Sequence, residues 1–200
     1  MKPQKNDLGV GSGSAYRVSM PDATTPNDLD GLRVVAHPLR LRLLSILTAE
    51  ALSATEAARI LGESQANVSY HLRRLAQAGL VQLVEEMSIR GGTAKRYRYD
   101  PASGEVLGSG HTDEHQALMS SLAAELIARS ARYVSESDFV FTEAEVTVSP
   151  EAWKRIREMS REVGRLIHDE AMPSATPEGI RISATLALFE VSNHDPAPHT

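Results

Sequence analysis

The tightest constraint on the fold comes from residues 64–81, SQANVSYHLRRLAQAGLV. Val68, Leu72, Leu75 and Ala76 fall at spacings of three and four, which predicts a helix that buries one narrow stripe. The opposite face carries Gln65, Asn67, Ser69, Tyr70, Arg73 and Arg74 and nothing acidic. Amides and guanidinium groups are the side chains that read base edges in a major groove, while hydroxyls and arginines hold phosphates. Ser64 is placed to cap the helix and leave backbone donors aimed at an anion, and Gly79 is placed to end it before Leu80 and Val81. A polar helix face by itself is the ordinary solvated surface. What favours a nucleic-acid reading is the company this face keeps.

Upstream, Ser53 followed by Glu56 forms a capping-box pattern, and Ala57, Ile60 and Leu61 supply the apolar side of a helix that Gly62 ends. The turn from Gly62 to Ser64 is so short that the two helices must cross steeply, as a helix-turn-helix. Before it, acidic residues at 28–30 lead into a short helix with Leu32, Val34 and Val35, which His37-Pro38 interrupts. Pro38 then suits the first turn of a helix over 38–49, with Leu39, Leu43, Leu44 and Leu47 inward and Arg40 and Arg42 outward.

After residue 79 the apolar period changes from about 3.6 to 2. Residues 80–86 and 95–100 read as two strands joined through Ile89, Arg90, Gly91, Gly92 and Thr93. Such a hairpin directly after a helix-turn-helix makes a wing, whose Arg90, Lys95 and Arg96 would lie along a phosphate backbone or in a minor groove. A basic hairpin tip alone serves solubility as often as binding. Charge distribution supports binding: residues 31–99 carry ten basic and five acidic side chains, whereas residues 100–200 carry eight and seventeen. The net charge of -5 therefore hides a basic segment around the candidate reading helix.

These motifs resemble the winged helix-turn-helix of the ArsR family of bacterial transcription regulators over residues 31–100. The resemblance rests on the stretch from Leu32 to Leu47, with its run AHPLRLRLL at 36–44, and on the signature Ser64, Gln65, Val68, Ser69, His71, Leu72, Leu75, Ala78, Gly79, Leu80 and Val81. It implies a homodimer on a two-fold operator in double-stranded DNA, with Gln65, Asn67, Ser69 and Tyr70 near base edges and His71, Arg73 and Arg74 nearer the backbone. Family analogy further implies repression by occluding a promoter. The chain departs from the metal-sensing members. It has no cysteine for a thiolate site. Of the other familiar pattern it keeps only Asp113 and His115, with Leu126 and Arg129 at the positions of the second half. No metal and no cofactor are expected.

The overall expectation is an α+β chain: a winged helix-turn-helix, a long helix, and a small strand-helix-strand C-terminal module. Residues 1–27, rich in Gly, Ser, Pro and Asn, read as a disordered tail, 28–104 as the DNA-binding domain, 111–191 as a dimerisation or effector region, and 192–200 as a free tail. The helix after the wing is expected over 112–134, with Met119, Leu122, Ala123, Leu126, Ile127 and Tyr133 on one face, pairing with its copy or packing within the chain. Strands are expected at 139–148 and 180–188 around a helix over 150–171 capped by Ser149. Trp153, Phe139, Phe141 and Phe189 are candidates to line a pocket for a small-molecule effector, with core packing the more ordinary role; a protein effector is the other option.

No apolar run reaches membrane-spanning length and the N-terminus lacks the blocks of a secretory signal, so a cytoplasmic location is expected. An enzyme is not expected, because no nucleophile elbow, phosphate loop or paired metal ligands are present. The rival reading is a winged-helix module that binds a protein through the acidic C-terminal part.

Overall fold

The computed structural model describes residues 31–89, 92–99, 103 and 111–192. The expected tail over 1–27, the approach at 28–30 and residues 193–200 lie outside the described residues.

Helix α1 (Gly31–Val35) is short because His37-Pro38 follows it. His37 then caps α2 (Pro38–Leu47): its Nδ1 accepts a hydrogen bond from the Leu39 amide at 3.1 Å, and Pro38 fills the first turn. Leu39, Leu43 and Leu47 are buried one turn apart along α2. A two-residue strand, β1 (Leu52–Ser53), too short to show a period, precedes α3 (Ala54–Leu61). The expected capping box is present: the Glu56 amide donates to Ser53 Oγ at 3.3 Å and the Ser53 amide to Glu56 Oε2 at 2.8 Å. Gly62 ends α3 with φ 68°, a left-handed conformation that a side chain disfavours.

The next helix, α4 (Gln65–Gln77), starts at Ser64, whose hydroxyl accepts from the Asn67 amide at 3.2 Å. Val68, Leu72 and Leu75 are completely buried, as their spacing requires. The chain then turns through Gly79 (φ 71°), with the Leu80 amide donating to the Leu75 carbonyl at 2.9 Å. Strands β2 (Val81–Ile89) and β3 (Gly92–Tyr99) form an antiparallel hairpin with Val81 opposite Tyr99 and Ile89 opposite Gly92. Both strands run further toward the tip than expected. A bulge between Leu83 and Glu85 shifts the register, and β1 adds to the far side of β3, giving the order β1-β3-β2. The buried apolar core lies wholly within 34–81, where α1, α2, α3, α4, β1 and the start of β2 meet. One inward expectation fails: Ile60 is exposed, and Ala58 faces the core instead.

Helix α5 (Thr112–Ser130) ends four residues earlier than expected. It packs on α1 and α2, with Leu118 against the core and a charged face beside it. Arg33 Nε lies 3.2 Å from Glu114 Oε1 and its Nη2 2.7 Å from Asp113 Oδ2, while Arg42 Nε lies 3.7 Å from Glu125 Oε1. Glu114 and Glu125 are buried by this docking, and Leu126 and Ile127 are left outward, Ile127 with 72% of its surface exposed.

Helix α6 (Pro150–Asp169) is capped by Ser149 as expected, its hydroxyl accepting from the Ala152 amide at 3.1 Å. The strand-helix-strand expectation is not met. Among the described residues, 138–149 and 172–192 contain no strand, and α6 buries none of its residues. The alternating pattern of 139–148 and 180–188 is real, but a strand is defined by a hydrogen-bonded neighbour, and in the single chain neither segment has one. Among the described residues no helix is long and apolar enough to cross a membrane.

Candidate nucleic-acid interface

The buried stripe of α4 fixes which way its other face points. With Val68, Leu72 and Leu75 in the core, Gln65, Ala66, Asn67, Tyr70, Arg73 and Gln77 are exposed and Ser69 and Arg74 are half-buried. Gln65, Ser69, Arg73 and Gln77 follow one another at spacings of four and so form one ridge, with Tyr70, 52% exposed, beside it. Gln77 was not among the expected site residues, although the same spacing of four from Arg73 points to it. The short turn after Gly62 leaves the first turn of α4 open, and Ser64 is exposed there.

Three expected contacts are reassigned. His71 is only 5% exposed and belongs to the core side of α4, one residue before Leu72. Its ring lies 4.5 Å from that of His37 and 5.1 Å, edge-on, from that of Tyr70. It therefore ties the reading helix to the cap of α2 and does not reach toward a phosphate backbone. Burial lowers the pKa of His71, aided by His37 and Arg40 and opposed by Glu63. Burial also lowers that of His37, aided by Arg40 and Arg42 and opposed by Glu63. Both rings are thus favoured neutral, which the Leu39 amide requires of His37 Nδ1.

Arg96 is likewise committed to the fold. Its Nη2 and Nε donate to the Ala51 carbonyl at 2.6 and 3.2 Å, and Glu56 and Glu85 lie 3.6 and 3.8 Å away. It joins the loop before β1 to the wing and is not displayed on the wing's outer face. Asn67 is exposed but its side-chain amide donates to Glu63 Oε2 at 3.2 Å. Glu63 also accepts from Arg42 at 3.0 Å, so one carboxylate holds the turn between α3 and α4 against α2.

Lys95 is exposed on β3 and pairs with Glu86 across the hairpin at 3.0 Å, which raises its pKa. Arg98 is exposed on the same strand and adds a cation to the wing. Arg90 lies outside the described residues. Arg98 lies at the base of the wing, where it lines a cleft with Gln82, Val84, His168 and Asp169, so the cations best placed to meet phosphate are Arg73 and Lys95. Arg73 makes no ion pair with another described residue.

The candidate effector aromatics are not gathered into one pocket. Trp153 Nε1 donates to Glu190 Oε1 at 2.7 Å, Phe189 meets His115 edge-on at 4.6 Å, and Phe139 and Phe141 stack on each other at 6.2 Å. Asp113 is bound by Arg33, and among the described residues no three His, Asp or Glu side chains gather as metal ligands would.

A short turn between two core-anchored helices, the second with an open polar ridge, followed by a hairpin wing, defines a helix-turn-helix DNA-binding domain of the winged type. The sequence model of the family described as "Helix-turn-helix domain" matches residues 35–84, from the end of α1 to the first half of β2. No curated protein matches the chain. Among solved structures the chain is similar to Rv0081 of M. tuberculosis, with 24% identity over 52% of this chain and 87% of that one. The TM-score of 0.33 is too low for that likeness to bear on fold or function.

Proposed function

We propose that this chain is a sequence-specific transcription regulator of the ArsR type, acting as a homodimer on a two-fold operator in double-stranded DNA. The observation that carries the reading is the open ridge of Gln65, Ser69, Tyr70 and Arg73 on a helix whose opposite side is locked into the core. Gln65, Ser69 and Tyr70 face base edges, and Arg73, with Lys95, faces phosphates. Homodimerisation is supported by the outward apolar side of α5 around Leu126 and Ile127. Repression by promoter occlusion follows from family analogy, and a cytoplasmic site of action is part of the same proposal. No catalytic role is assigned to any residue.

The test is equilibrium binding by fluorescence anisotropy over a salt series. Affinity should fall steeply with salt, and Arg73→Ala should weaken binding to all sequences alike while reducing the salt slope by about one. Gln65→Ala should relax preference at one operator position and leave non-specific affinity intact. Loss of neither property in the two variants would displace α4 as the reading element. Absence of DNA binding even at low salt would favour the protein-interaction reading.

A further inference from the structure

The C-terminal part of the chain has the composition of a core and the exposure of a surface. Among the described residues, twenty of the twenty-five exposed large apolar side chains lie between Leu126 and Val191. None of the buried apolar residues lies beyond Val81. At about 60–120 Å² of apolar surface per large side chain, more than half of it exposed, this amounts to roughly 1,000 Å² per chain. A two-fold contact closing it would bury about 2,000 Å², the lower bound for obligate homodimers.

The three pieces are complementary in period. Phe139 and Phe141 stack with an interplanar angle of 9°, so they share one side of an extended chain, and Ile180, Ile182, Leu186 and Leu188 alternate along the other segment. Helix α6 presents Ile156, Met159, Val163 and Leu166 at helical spacing, all exposed. Together they have the pattern of two strands and a helix able to cover them. The parts are already near one another: Glu190 binds Trp153 on α6, and Phe189 meets His115 on α5. Yet the two segments are unpaired, and a cleft of 1080 Å³ stays open between α2 and residues 164–186. Two strands and one helix fall below the usual four to six strands of a sheet, whereas two copies supply four strands and two helices.

We propose that residues 138–191 are a dimerisation module that folds only against a second copy of this chain. Segments 139–148 and 180–189 pair with the partner's strands, and α6 from each copy lies over the joint sheet. The identical segments of two chains can satisfy each other's unpaired backbone groups about a two-fold axis, so one surface serves both sides of the contact. The module continues the outward face of α5 and rests on the homodimer reading above, to which it assigns an interface.

The experiment uses the full chain and exploits the absence of cysteine. Sedimentation at micromolar concentration should give twice the 21.7-kDa chain mass. Hydrogen exchange should show 139–148 and 180–189 protected in the dimer and losing protection on dilution. Phe141→Asp with Leu186→Asp should weaken dimerisation at least tenfold while the winged helix keeps its exchange protection. Single cysteines placed in turn along 139–148 and 180–189 leave the rest of the chain unchanged. At least one position should yield a disulfide-linked dimer under mild oxidation. A dimer that survives the double substitution, with both segments unprotected and no cysteine position cross-linking, overturns the module and leaves α5 as the interface of a standing homodimer. A monomer that still binds operator DNA overturns both. A monomer whose segments become protected only on adding a small apolar ligand assigns the cleft to that ligand and overturns the proposal.

Discussion

Arg96→Ala, set beside Arg73→Ala, separates a residue that holds the wing from one proposed to touch DNA. Arg96 carries two charge-assisted hydrogen bonds to the Ala51 carbonyl, at 2.6 and 3.2 Å, and sits among Glu56 and Glu85. Hydrogen bonds from a charged group contribute about 1.5–3 kcal/mol, and the looser carboxylate contacts, being partly solvated, add less than about 1 kcal/mol. The substitution should cost about 2 kcal/mol. For a domain of this size that lowers Tm by roughly 8–16 °C. Arg73→Ala, on an exposed site, should change stability by less than about 0.5 kcal/mol. The assay is thermal unfolding followed by far-UV circular dichroism, because the single Trp153 lies on α6 and does not report on the winged helix. Paired anisotropy titrations below the transition measure DNA affinity and its salt slope. Arg96→Ala should lose stability and keep the salt slope once folded; Arg73→Ala should do the reverse. Unchanged Tm together with a flattened slope in Arg96→Ala would refute the structural role and return the residue to the phosphate backbone.

Leu72→Ala removes a completely buried side chain from the face of α4 that sets the ridge, and should cost about 2–5 kcal/mol in urea unfolding. Ser53→Ala deletes the α3 cap and should cost about 0.5–2 kcal/mol by the same measurement. Gln65→Ala should lose about 1–3 kcal/mol of discrimination at one operator position, read by competition with single-base variants. Stability should fall on acidification. His37 and His71 have folded pKa values depressed below 6.5 by burial, so as pH drops through that value the unfolded chain takes up protons that the folded chain resists. Glu56, depressed chiefly by the Ser53 amide, loses its contribution at still lower pH, through its folded pKa. Urea midpoints between pH 8 and 5 should decline, with most of the loss below about pH 6.5; a flat profile would exclude buried neutral histidines.

The helix-turn-helix was legible because its signals are local. Capping at Ser53 and Ser64, glycines at 62 and 79, and the spacing of Val68, Leu72 and Leu75 depend on neighbours within one or two turns. The reassigned residues depend on partners far away in sequence. Arg96 is decided by the Ala51 carbonyl, forty-five residues distant, and His71 by His37 across the α2 cap. Nothing in the charge or polarity of either residue distinguishes a fold contact from a DNA contact. The docking of α5 through Glu114 and Glu125 was hidden for a related reason: apolar periodicity pointed at Leu126 and Ile127, while two arginines on α1 and α2 drew the acidic face inward. The strands expected at 139–148 and 180–188, and not formed, show the limit of pattern reading from the other side. Alternation specifies a strand's faces, but the ladder that makes it a strand must come from another segment.

Selecting fragmented genomic DNA from the source organism on the purified full chain, and sequencing what is retained, asks whether the open ridge of α4 reads a DNA sequence as one half of a two-fold pair. The expected result is an inverted-repeat motif with half-sites about one helical turn apart, lost when Gln65 and Arg73 are replaced. Retention of DNA without any shared motif, released uniformly by modest salt, would contradict it.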